Sequence, residues 1–266
     1  MATNEPTTTV LPVAPQAQRP DGNFQKALTG ISGFDAITGG GLPRGRTSLL
    51  VGGPGSGKTI FALQFLIQGA RQDEEPGIFV AFEESPGRIL ANAESFGWEL
   101  SKLPSDALFF LDTQPLPDLV QAGDFDLGGM LAALEAQVHT MQARRIVFDA
   151  LDILLGLLPD AAAQRREAYR LHEWLLTHQL TGLITLSTGI DEASLLRLPP
   201  FGFMQFMLDC VVILNHNVVD GQSRRTLRVQ KYRGSGFDEN EASFSIGNTG
   251  LEVASARRNQ PPPEPP

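Results

Sequence analysis

Apolar residues along this chain fall into short runs separated by longer amphipathic stretches. The runs "RTSLLVG" (46–52), "GIFVAF" (77–82), "ALFFLD" (107–112), "RRIVFDA" (144–150) and "GLITLST" (182–188) have the length of buried strands. Between them, "KTIFALQFLIQGARQ" (58–72), "DLGGMLAALEAQVHTMQA" (126–143) and "AAQRREAYRLHEWLLTHQL" (162–180) read as helices. A further helix opens at "SPGRILANAESFGW", with Ser85 as its cap and Pro86 in its first position. Short strands alternating with helices predict an α/β fold: a parallel sheet with helices on both faces. After residue 205 the helical pattern stops. "MLDCVVILNH", "RRTLRVQKYR" and "ASFSIGNTGLEV" read as consecutive strands, the first two joined by an Asp220-Gly221 turn. A β-rich C-terminal part therefore extends the sheet.

The ends carry no such pattern. Residues 1–23 are rich in Thr, Pro, Ala and Gln, and 257–266 in Pro, so both are expected to be disordered tails around one domain at 24–256. The net charge of −9 makes non-specific nucleic-acid binding an unfavourable function, since phosphate contacts need Lys and Arg. The pairs Arg144/Arg145, Arg165/Arg166 and Arg224/Arg225 read as solvated helix and strand ends. A lone cysteine, Cys210, cannot form an internal disulfide and reads as a buried strand thiol. The four histidines show no metal-ligand spacing. With no basic leader and no long apolar run, a cytoplasmic location without a membrane span is expected.

The chemistry concentrates at "GGPGSGKT" (52–59). Gly52, Gly57, Lys58 and Thr59 match G-x-x-x-x-G-K-[ST] after a strand and at the opening of a helix, the setting of a phosphate-binding P-loop. The glycines let backbone N–H groups converge, and the helix N-terminus adds partial positive charge. Lys58 would reach the β- and γ-phosphates, and Thr59 would ligate Mg²⁺. Asp149, ending "RRIVFD", has the place of a second, water-mediated Mg²⁺ ligand. Asp152 reads as structural. Glu83 and Glu84 end the strand after the P-loop helix, where strand C-termini line the crevice of doubly wound folds. One of them can take a proton from an attacking water, and Glu83 is also a candidate Mg²⁺ ligand. Helix capping would need only one of the two acids.

These stretches together resemble the KaiC family, the circadian-clock ATPases of the RecA-like group. The resemblance rests on "TGISGFDAITGGGLPRGRTSLLVGGPGSGKTIFALQFL", "FEESPGRILANAESFGWEL", "FDLGGMLAAL", "RRIVFDALDIL" and "DCVVILNHNVVDGQSRRTLRVQKYRGSGF". It covers about 28–252 and implies a RecA-like P-loop fold that binds ATP with Mg²⁺ and hydrolyses it. It implies a phosphate loop of Gly53, Pro54, Gly55, Ser56, Gly57, Lys58, Thr59 and Ile60, and a catalytic pair of Glu83 and Glu84. It further implies nucleotide contacts from Ser95, Lys231, Arg233 and Ser235. Asn248 stands where the family has an aspartate near the nucleotide. The chain has one such domain where KaiC has two.

The resemblance also implies a homo-oligomeric ring, expected to be a hexamer, with nucleotides at the subunit interfaces. A ring interface is head-to-tail. Lys231 and Arg233 point the same way from one strand, and in such a ring they would face the neighbour's γ-phosphate. A cation supplied in trans is worth about 10³–10⁵ in rate. Partners implied by the family are a small KaiB-like regulator, at the region "TQPLPDLVQAGDFDL", or a signalling kinase. Two alternatives differ in class. An autokinase of the KaiC type uses an adjacent Ser-Thr pair, but Gln205 and Phe206 stand there. A DNA-dependent recombinase-type ATPase needs basic inner loops, but 154–164 and 189–204 offer only Arg197 against three acids. Other departures are Ser187-Thr188-Gly189 in place of Thr-Thr-Glu, and Phe237 in place of a histidine.

Overall fold

The computed structural model describes residues 25–114, 127–187 and 201–254. A two-residue pair, β1 (Lys26–Ala27) and β2 (Leu42–Pro43), flanks helix α1 (Phe34–Thr38). The main sheet holds β3 (Thr47–Gly52), β4 (Gly77–Ala81), β5 (Leu108–Asp112), β6 (Arg145–Asp149), β7 (Thr181–Ser187), β8 (Cys210–Val219), β9 (Gln222–Tyr232), β10 (Ala242–Gly247) and β11 (Gly250–Val253). The helices are α2 (Lys58–Gln72), α3 (Pro86–Ser95), α4 (Leu127–Met141), α5 (Leu151–Gly156), α6 (Ala161–Thr177) and α7 (Met204–Met207), with a 3₁₀ turn at Leu100–Lys102.

The nine strands run in the order β11-β10-β9-β8-β3-β7-β6-β4-β5. From β8 to β5 every pair is parallel, and from β8 outward to β11 every pair is antiparallel. This is the expected α/β architecture with its β-rich extension. Successive strand residues feed opposite faces of the sheet. On one face Leu50, Phe79, Val147 and Leu183 meet Phe61, Phe65 and Leu66 of α2. On the other, Leu49, Ile78, Ile146 and Ile184 meet Leu131 and Leu134 of α4 and Leu171 and Leu175 of α6. The sequence 26–43 packs Ala27, Ile31, Phe34 and Leu42 onto the α2 face.

Local details follow residue chemistry. Asp220 and Gly221 join β8 to β9 with φ of 53° and 74°, the paired positive dihedrals of a type I′ hairpin. Ser85 precedes α3 in extended conformation with Pro86 at its start, yet the Ser85 side chain makes no capping bond. Asp160 does cap α6, accepting from the Ala163 N–H at 2.7 Å. Three short helices, α1, α5 and α7, escape the periodicity reading. In α5 the short apolar run "LDILLG" has no distinct helical period. The single turn α7 straddles the point after which the pattern predicts only strands.

One arginine overturns its expected place. Arg145 is fully buried, whereas its neighbour Arg144 is exposed as expected. Its Nε donates to Glu75 Oε2 at 2.7 Å, one terminal nitrogen to Asp73 Oδ2 at 2.5 Å, and the other to the carbonyls of Leu28 and Phe65, both at 2.7 Å. The guanidinium also lies 4.7 Å from the Phe65 ring centre. Gly69 makes room, because a Cβ there would meet Arg145 Nε at 2.4 Å. Arg44 reaches the same Glu75.

Truncating one member of a buried ion network leaves the others charged and unpaired. Arg145→Ala should therefore lower unfolding stability by about 3–5 kcal/mol, measured by urea titration, while an Arg144→Ala control stays within about 0.5 kcal/mol. Cys210 is fully buried, and burial pushes its thiol up to about 12. Thiolate is the reactive form, so a disulfide-exchange reagent at pH 8 should leave Cys210 unlabelled until denaturant is added.

Candidate active site

Four neighbouring parallel strands end at one cavity of about 710 Å³. Pro54, Gly55, Ser56, Gly57, Lys58, Thr59 and Ile60 line it beyond β3, Glu83 and Glu84 beyond β4, Asp149 at the end of β6 and Ser187 at the end of β7. The remaining wall is Arg88, Arg225 and Ile246.

The loop takes its shape from glycine. Gly55 and Gly57 have φ of 68° and 100°, the left-handed region that disfavours side chains. At Gly57 an added Cβ would also press on Ile246 at 2.9 Å. Gly57 then caps α2 directly, which presents that helix's first N–H groups to the cavity. Lys58 Nζ donates to the Gly52 carbonyl at 2.8 Å and the Gly53 carbonyl at 3.1 Å. Burial holds this ammonium below the usual lysine range, against the pull of Asp149.

Asp149 links three elements. Its Oδ2 accepts from the Thr59 hydroxyl at 2.9 Å and its Oδ1 from the Thr185 hydroxyl at 2.7 Å. Thr185 in turn accepts from the Ala150 N–H at 2.7 Å, where Ala150 turns the chain with φ of 64°. Burial raises the Asp149 carboxyl above its ordinary range despite these bonds. A carboxylate and a hydroxyl facing one cavity are oxygen donors suited to Mg²⁺. Asp152 accepts from the Ser187 N–H at 3.0 Å.

The two glutamates differ. Glu84 is half-buried and pairs with Arg88 at 3.2 Å. Glu83 is exposed at the cavity, and its backbone carbonyl accepts from Gln114 at 2.9 Å.

Other expected residues lie away from this cavity within the chain. Ser95 ends α3, exposed, with its hydroxyl on the Asn92 carbonyl at 2.6 Å. Asn248 is exposed in the β10–β11 turn. Ser235 lines a separate cleft with Lys26, Gly39 and Arg44. Lys231 and Arg233 share a side, as alternation predicts, and both grip the end of α7. Lys231 Nζ donates to the carbonyls of Gln205, Phe206 and Leu208 at 2.8, 3.1 and 2.5 Å, and Arg233 to those of Phe206 and Met207 at 2.6 and 3.2 Å. Of the region expected to meet a regulator, 113–127, residues 115–126 lie outside the described residues, as do Thr188 and Gly189.

Sequence reasoning missed Thr185 and Arg225. Thr185 carries no motif, and its partnership with Asp149 appears only when β7 pairs beside β6. Arg225 was grouped with solvated strand ends, but it faces the phosphate loop. Its Nε is buried and has no hydrogen-bond partner among the described residues.

A parallel sheet with a glycine-cradled lysine, an Asp–Thr pair and carboxylates at its strand ends defines a RecA-like P-loop domain. The family model for the KaiC ATPase matches residues 27–258, and the chain belongs to that family. It is 38% identical over 249 residues to "Circadian clock oscillator protein KaiC 1" of Synechocystis sp., covering 91% of this chain and 47% of that protein. It is 40% identical over 231 residues to the KaiC oscillator protein of Prochlorococcus marinus, covering 86% and 46%. "Circadian clock protein KaiC2" of Synechocystis sp. is 36% identical, covering 86% and 40%. The chain thus spans about half the length of the clock proteins it matches. No helix among the described residues is long and apolar enough to cross a membrane.

An unpartnered guanidinium nitrogen beside a phosphate loop is a ready anion donor, and a charge-assisted bond is worth about 1.5–3 kcal/mol. Arg225→Gln should weaken binding of a fluorescent ATP analogue roughly tenfold or more. Its melting temperature should stay near that of the parent.

Proposed function

We propose that this chain is a regulatory ATPase that binds ATP with Mg²⁺ and hydrolyses it within a head-to-tail ring of identical subunits, six in number by analogy with its family. The supporting observation is the division of charge. The cavity gathers the phosphate loop, Asp149, Glu83 and Glu84, while Lys231 and Arg233 sit outside it, at the end of α7. A neighbour in a ring can bring that edge to the cavity.

In this reading the P-loop amides, Lys58 and Arg225 hold the triphosphate. Thr59 and Asp149 would hold Mg²⁺, which when bound would supply positive charge against the charge that develops on the phosphates. Glu83, free of the Arg88 pairing that occupies Glu84, orients a water. The water oxygen bonds to the γ-phosphorus as the bond to the ADP oxygen breaks, and the water proton passes to the carboxylate. Lys231 and Arg233 of the neighbouring subunit stabilise the charge on the transferring group. Ser95, Ser235 and Asn248 complete the nucleotide's surroundings as the family resemblance implies. Turnover would change the partner surface, in the manner of a clock-type regulator. Clock-type autophosphorylation is disfavoured, since Gln205 and Phe206 in α7 offer no hydroxyl.

Mixing tests this. Lys58→Ala subunits and Arg233→Ala subunits should each be inactive alone. Combined rings should regain part of the ATPase rate, because some interfaces then pair an intact P-loop with an intact cation edge. Particles shown by mass photometry to be mixed, yet still inactive, would rule out action in trans.

A further inference from the structure

The histidines show no ligand spacing in sequence, yet the fold assembles one such cluster far from the phosphate cavity. Glu135 and His139 stand one helical turn apart on α4, on the same face. His178 follows the end of α6 as its C-cap. Among the described residues, one ligand atom from each of these three side chains lies within 4.8 Å of the others. The His178 and His139 rings meet edge to face, with centres 6.2 Å apart.

The orientation of His178 is the second observation. Its Nδ1 lies 2.8 Å from the Trp174 carbonyl, which can only accept, so Nδ1 carries the proton. In the neutral ring Nε2 then bears the lone pair. That nitrogen faces Glu135 Oε1 at 3.4 Å. A carbonyl fixing one imidazole nitrogen so that the other can ligate is the usual outer-shell arrangement of protein metal sites. The Trp174 ring, 4.6 Å from that of His178, backs it on the other side.

We propose that Glu135, His139 and His178 form a binding site for a divalent transition ion of the zinc class. Two imidazoles and one carboxylate suit Zn²⁺ and its neighbours rather than Mg²⁺ or Ca²⁺, which prefer all-oxygen shells. Ligand bonds of about 2.0–2.2 Å bring donor atoms to roughly 3–3.5 Å of one another. The observed spread therefore needs only small side-chain rotations. Glu135 and His139 are exposed and His178 is partly buried, so water can fill the remaining coordination positions. The ion would fasten the last turns of α4 to the end of α6. The residues involved are separate from the phosphate cavity, so the inference does not depend on the proposed ATPase activity.

The test is calorimetric titration of the full chain with Zn²⁺, with Mg²⁺ and ADP in excess to fill the phosphate cavity. One Zn²⁺ per chain should bind with a dissociation constant on the order of 1 μM. His139→Gln and His178→Gln should each weaken it at least tenfold, as should Glu135→Gln. With Zn²⁺ at 100 times its dissociation constant, the melting temperature of the parent should rise by about 5 °C, and that of His139→Gln should not. Co²⁺ should give a ligand-field absorption band that the His178→Gln chain lacks. If the parent and both histidine variants take up Zn²⁺ equally, or none does, the cluster is only an ion pair between helices and the proposal fails.

Discussion

A guanidinium without water must find every partner inside the protein, and at Arg145 those partners come from three separate parts of the chain. Leu28 belongs to the segment before the P-loop strand, Phe65 to α2, and Asp73 and Glu75 to the turn before β4. Unpaired, the charge would carry a penalty of several kcal/mol. The network therefore holds only when α2 lies at one depth and angle across the sheet. That same helix begins at Gly57, so the fastening at its far end also fixes where its first N–H groups aim. β6 closes the relation, running from Arg145 to Asp149, the carboxylate that Thr59 of α2 reaches from the other end. One helix is thus pinned at both ends to one strand, by a charge network below and an aspartate above.

Much of this was legible in the residues. Strands and helices of the parallel core follow apolar run length, and the P-loop follows glycine spacing with Lys58 and Thr59. Asp149 and the two glutamates were placed by their position at strand ends, and the KaiC family was legible in the combination. The illegible part consists of relations across the sheet. Thr185 gains its role from strand order, because β7 inserts between β3 and β6 although it follows both in sequence. Arg145 and Arg144 are chemically identical neighbours, but Arg145 opens the wholly buried strand β6 while Arg144 precedes it and is exposed. Arg225 looks like an edge residue until β9 is seen beside the phosphate loop. His178 meets α4 only through the packing of α4 with α6. Pattern within a segment reports the segment, whereas these contacts arise between segments.

The cation pair on β9 shows how one arrangement can serve two states. Within the chain, Lys231 and Arg233 satisfy the last carbonyls of α7, groups that a helix end otherwise leaves open. Burial and the adjacent Arg233 lower the affinity of Lys231 for its proton. In the ring we propose, the same donors would turn from neutral carbonyls to phosphate oxygens. The exchange would trade ordinary acceptors for charged ones and free the end of α7, whose Phe206 is already 68% exposed.

The outermost strands bear on the phosphate loop in a further way. Ile246 of β10 stands where any side chain on Gly57 would have to go. On β11, Leu251 exchanges hydrogen bonds with Gln64 of α2, and Val253 donates to the Ser32 carbonyl. The last described strands are thereby laced to the helix that starts at the glycine-rich loop. Strain on β11 would pass through Gln64, which lies about one and a half helical turns from Thr59. The outer strands are a mechanical handle on the phosphate loop.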